Sequence, residues 1–198
     1  FFFKQKTAYE MSEMMMAIYV EPDLAKILLS KCSEFILKYI RALKETGVDG
    51  IIMAEPAAGL LSNDDATIFS TNYIKPIVEA VQDENFLFVL HNCGNTGHCT
   101  QSMIDSGARA LHFGNQCDIV SALQQVPSDR LVMGNLDPVG IFKSSSPKQV
   151  YDETERLLHA TADFDNFIIS TGCDVPPGVS LENINAFYRA VEIFRNRH

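Results

Sequence analysis

A chain of 198 residues that is 46% hydrophobic carries enough apolar surface for one buried core, which points to a single domain. Its formal charge of -9 argues against a nucleic-acid groove or an anionic membrane surface as its main partner, because both repel an acidic protein. No apolar run approaches the roughly 18 residues that span a bilayer, and no charged start leads into an apolar export signal. Five cysteines, Cys32, Cys93, Cys99, Cys117 and Cys173, are odd in number and sparse for a disulfide scaffold, so a reducing, cytoplasmic setting is expected.

The first eleven residues, Phe1 to Met11, stand apart. Lys4 to Glu10 is what a common sequencing-library adapter encodes, so residues 1–11 are set aside as non-native and 12–198 are read as one domain. Pro22 then opens a long amphipathic helix. Its apolar positions Leu24, Ile27, Leu28, Phe35, Ile36, Tyr39, Ile40 and Leu43 recur at three- and four-residue spacings, and Gly47 suits its end. Short apolar runs follow at Gly50 to Ala54, Phe86 to Leu90, Ala110 to Phe113, Leu131 to Met133 and Phe167 to Ser170, each succeeded by helical spacing. Ser180 before Leu181 reads as the cap of the last helix. Near-continuous apolar strands alternating with helices predict an α/β fold with a parallel sheet covered on its outer face.

In such folds chemistry collects at the carboxyl ends of the strands. Those ends are polar here. Glu55 follows the first, His91 and Cys93 the second, His112 and Asn115 the third, Asn135 and Asp137 the fourth, and Cys173 and Asp174 the fifth. His91 and Cys93 are two apart on an extended segment and point the same way, so one ion can reach both. With Cys173 they make three soft or borderline ligands and an open fourth position, the pattern of a catalytic zinc. Glu55 is a candidate for the fourth, displaceable ligand or for binding an acceptor, although an acid before Pro56 also suits a loop cap. Asn135 and Asp137 are candidates for organising the site floor, although Asn-x-Asp-Pro is also good turn chemistry. His98 and Cys99 lie at an expected helix start and read as structural, Cys32 and Cys117 as small packing residues, and His112 as a satisfied strand-end histidine or a group behind the site.

His91-Asn92-Cys93-Gly94-Asn95-Thr96, Gly134-Asn135-Leu136-Asp137-Pro138, Gly172-Cys173-Asp174-Val175-Pro176-Pro177 and Leu181-Glu182-Asn183-Ile184 together resemble the uroporphyrinogen decarboxylase (URO-D) superfamily. They are most similar to its methylcobamide:coenzyme M methyltransferase branch, from about Pro22 to Phe194. The resemblance implies a (β/α)8 TIM barrel of which about the last five strand-helix units are present, too few to close it. It implies zinc on His91, Cys93 and Cys173, a methylated corrinoid carried by a partner protein as methyl donor, and a small thiol such as coenzyme M as acceptor. Decarboxylases proper carry a His within a Gly-His-Gly motif where this chain has Cys173, and need no metal. The expected activity is zinc-dependent methyl transfer from the corrinoid to the thiol. Uroporphyrinogen decarboxylation, in porphyrin and heme synthesis, is the second reading, and a non-catalytic corrinoid- or metal-binding relative the third.

Overall fold

The computed structural model describes residues 13–94 and 97–197; the adapter-like residues 1–11 lie outside them. Residues 13–20 are helical and lead into α1 (Pro22–Glu45). Pro22 suits the first turn, Asp23 complements the helix dipole there, and Lys44 does so in the last turn. The chain leaves α1 through Gly47 at φ +85°, a left-handed conformation that glycine adopts without a Cβ clash.

Five parallel strands follow: β1 (Gly50–Ala54), β2 (Leu87–Asn92), β3 (Ala110–Phe113), β4 (Leu131–Leu136) and β5 (Phe167–Thr171). They pair in chain order, β1-β2-β3-β4-β5. The connections carry α2 (Asn63–Ala66) and α3 (Asn72–Val81), then α4 (Thr100–Asp105), α5 (Ile119–Gln125) and α6 (Pro147–Ala160), with α7 (Leu181–Arg195) after β5. Sequential parallel pairing with a helix after every strand is the winding of a (β/α)8 barrel. Among the described residues the sheet remains open, with β1 and β5 as its edges.

The core lies between sheet and helices. Phe88, Leu90, Leu111, Phe113 and Val132 are essentially inaccessible and pack against Ile77, Val78, Met103, Ala122 and Leu123. The opposite, inward face is covered only in the middle: Val89 and Ala110 are buried, while Ile52 and Ile168 on the edge strands are 63% and 41% exposed. Strand alternation places His91 on this inward face, in register with Ala54 and His112.

Two helix caps hold the last unit. Ser146 and Gln149 form a reciprocal capping box at α6, and Ser180 Oγ accepts the Asn183 amide at 3.2 Å, as its position predicts. The apolar positions of α1 divide differently from the expectation of one buried face. Ile40 is buried and Ile36 packs against the core, but Leu24, Ile27, Leu28, Phe35 and Tyr39 are exposed. The eight positions span two stripes, and only one can face the sheet. Cys32 is likewise exposed on α1 rather than packed. No described helix is long and apolar enough to cross a membrane.

Candidate metal centre

Two expected strands run two or three residues further than the apolar pattern, and the fifth runs one further, to Thr171. The second continues through His91 and Asn92 and the fourth through Leu136, so His91 and Asn135 sit inside strands rather than beyond them. Cys93 follows β2 by one residue, and Cys173 follows β5 by two. Neighbouring strands lie about 4.8 Å apart, so β2 and β5, three spacings apart, would stand about 14 Å apart in a flat sheet. The thiols are nevertheless 3.7 Å apart, because the sheet curls and both loops turn inward.

Close backbone packing makes that possible. A Cβ on Gly172 would lie 2.3 Å from the Asn115 amide nitrogen, and one on Gly114 would lie 2.7 Å from that of Gly94. The loop after β3 therefore fits between the Cys93 and Cys173 loops only because both positions are glycine. Asn135 holds this loop, its Nδ2 donating to the carbonyls of Gly114 at 3.0 Å and Cys117 at 2.6 Å.

His91, Cys93 and Cys173 bring three ligand atoms within 4.8 Å of one another. Cys93 Sγ is 2.8 Å from His91 Nε2. Two sulfurs bound at about 2.3 Å to one tetrahedral ion stand about 3.8 Å apart, which the observed sulfur pair already matches. The sulfur–imidazole pair would have to open to about 3.6 Å. One imidazole and two thiols form a borderline-to-soft donor set suited to zinc, and the three residues line a cleft of about 600 Å³ together with Pro56, His112 and Asp174.

Burial governs the protonation of this group. It pushes the Cys93 thiol up to about 11, with Cys173 and then Asp174 adding to the effect. His91 is held below the ordinary imidazole value, again by burial first, and His112 falls to about 4 through burial and the neighbouring His91. Both rings are neutral at pH 7.

The other expected site residues lie elsewhere. Glu55 lies outside the cleft, in a small pocket of mixed lining with Ser70, Thr71, Leu90, Asn92 and Met103, and Ser70 Oγ donates to its carboxylate at 2.6 Å. Asp137 Oδ1 accepts the amides of Val139 and Gly140, both at 2.8 Å, and caps the helical turn Pro138–Lys143. Neither Asn135 nor Asp137 lines the cleft. His98 Nε2 and Cys99 Sγ both reach the Leu61 carbonyl and secure the loop after β1. Asp174, legible only as one more polar strand-end residue, lines the cleft beside Cys173.

Burial raises the Glu55 carboxyl from 4.5 to about 7 against the lowering effect of Ser70. The folded protein therefore binds this proton more tightly than the unfolded chain does. The contribution is fully present below pH 4.5 and is lost as pH rises through about 7, a loss of at most about 3 kcal/mol. Glu55→Gln is expected to flatten that dependence and to stabilise the chain at pH 8 relative to the parent. Urea unfolding at pH 5 and pH 8 measures it, and equal pH dependence in both proteins would show that Glu55 is not the group responsible.

The profile of the family described as "Uroporphyrinogen decarboxylase (URO-D)" matches residues 4–194. The chain belongs to the uroporphyrinogen decarboxylase family. Among its URO-D relatives, the methylcobamide:CoM methyltransferase MtbA of Methanosarcina mazei is 27% identical over 90% of this chain and 52% of its own length. The uroporphyrinogen decarboxylase of Serratia proteamaculans is 27% identical over 88% of this chain and 49% of its own. In fold, a methyltransferase from Methanosarcina mazei superposes with a TM-score of 0.82 at 23% identity, covering 93% of this chain and 53% of that one. The chain thus spans about half the length of the URO-D relatives it matches, in keeping with the five parallel strands among its described residues.

Proposed function

We propose that this chain carries the metal-binding half of a zinc-dependent methyltransferase that moves a methyl group from a corrinoid protein to a small thiol. The observation that carries the reading is the convergence of Cys173 on His91 and Cys93, with the two sulfurs already at a tetrahedral ligand spacing. His91 Nε2, Cys93 Sγ and Cys173 Sγ would hold the ion. Bound there, zinc supplies a Lewis acid that keeps an acceptor thiol deprotonated at neutral pH.

The chain's own residues set the conditions for that chemistry. Buried neutral His91 offers a lone pair rather than a charge, and the cleft leaves room for an acceptor sulfur beside the ligand group. In the transfer the sulfur–carbon bond forms, the cobalt–carbon bond breaks with its electron pair left on cobalt, and the thiol proton passes to solvent. The relatives named for methylcobamide:CoM methyl transfer support this acceptor class.

Uroporphyrinogen decarboxylation is the second reading, favoured by relatives of that name at similar identity. Zinc per chain, measured by elemental analysis on protein shown to be folded by circular dichroism, separates the two. About one zinc per chain, with thiol-dependent loss of methyl from methylcobalamin, is the expected result. Folded, zinc-free protein that consumes uroporphyrinogen would transfer the assignment to carboxy-lyase chemistry.

A further inference from the structure

Thr171 carbonyl oxygen lies 2.9 Å from His112 Nε2 and can only accept, so that nitrogen carries a hydrogen. Ser170 Oγ is 3.0 Å from the same nitrogen. On the other side of the ring, His112 Nδ1 is 2.6 Å from His91 Nδ1, a separation that needs one donor and one acceptor. His91 Nδ1 is also 3.2 Å from the His112 carbonyl oxygen, a second pure acceptor. If His112 Nδ1 were the donor, His91 Nδ1 would present a lone pair to that carbonyl. One arrangement satisfies every contact: His91 carries its hydrogen on Nδ1 and shares it between the His112 ring and carbonyl. The lone pair of His91 then falls on Nε2, the atom that faces Cys93.

We infer that the His112 ring is a positioning residue that locks His91 in the Nδ1–H tautomer and so presents Nε2 to the metal. The inference rests on the zinc reading for its consequence, not for its geometry. His112 stands on β3, accepts a hydrogen bond from His91 on β2 and donates one to the Thr171 carbonyl, two residues before Cys173. One imidazole thus ties the strand that delivers two ligands to the strand that delivers the third. Neither a packing histidine nor a strand-end histidine needs that pair of contacts. A partner on the far nitrogen of a ligating imidazole orients the ring and strengthens the ligand, and its loss typically lowers metal affinity tenfold to a hundredfold.

The test uses the 198-residue chain with ¹⁵N-labelled histidine. In the metal-free parent, NMR is expected to find His91 as the Nδ1–H form. His112→Phe should populate the other tautomer and weaken zinc binding about tenfold, the low end of the range because the main-chain carbonyl remains. His112→Asn keeps an acceptor near the same place and should hold zinc within about threefold of the parent. A folded His112→Phe with the parent tautomer and zinc affinity would overturn the inference. So would a parent whose His91 carries its hydrogen on Nε2, a result that needs no variant. A parent that binds no zinc counts against the proposed function alone, and the NMR comparison still decides the role of His112.

Discussion

Cys173→Ser is expected to weaken zinc binding by at least about tenfold, because it removes one of the three proposed protein ligands. A serine hydroxyl is a harder donor that stays protonated at neutral pH, so it replaces neither the charge nor the softness of the thiolate. The remaining pair, His91 and Cys93, is local to one strand end and leaves two positions to solvent. Competition with a chromophoric chelator measures the loss, and circular dichroism confirms that the variant is folded. Cys32→Ser provides the control, since Cys32 is exposed on α1 and outside the ligand group. A folded Cys173→Ser that binds zinc as the parent does would remove Cys173 from the site, and with it the main support for methyl transfer.

Zinc affinity is also expected to rise steeply with pH. Burial, then Cys173 and Asp174, hold the Cys93 thiol up to about 11, so throughout the neutral range the metal-free protein carries its proton. The ion binds the thiolate and must displace that proton. Each unit by which pH rises, below about 11, therefore tightens binding tenfold through Cys93 alone, or about a hundredfold between pH 6 and pH 8. Burial lowers the His91 imidazole from its ordinary value, so its share of the slope is smaller than that of a free imidazole. Chelator competition across the interval, corrected for the chelator's own protonation, reads the slope, and Cys93→Ala should reduce it by one proton. A flat profile in the parent would mean that Cys93 does not bind as a thiolate.

Much of the fold was legible along the chain because its signals are local. Apolar runs of strand length, helical spacing between them, Pro22 at a helix start and Ser180 at a cap each act within a few residues. The candidate pair His91 and Cys93 was legible for the same reason, being two apart on an extended segment. Strand ends were less so: hydrophobicity stops at Leu90 and Met133, while pairing continues through polar His91, Asn92 and Asn135. Glu55 shows the same limit from the other side. Its place at a strand end was visible, but not that it turns into the pocket with Ser70.

The sequence by itself determined a parallel α/β chain with chemistry-bearing residues at the carboxyl edge of its sheet. It also determined, by motif, which residues were candidates to meet an ion. Only the tertiary structure decided that Cys173 reaches Cys93 across three strand spacings, that Gly114 and Gly172 let the loop after β3 pass between them, and that His112 joins β2 to β5. The physical reason is range. Periodicity and caps report on neighbours in the chain, whereas curvature arises from the packing of every strand against its helices, and it is curvature that turns a separation of about 14 Å into a ligand distance.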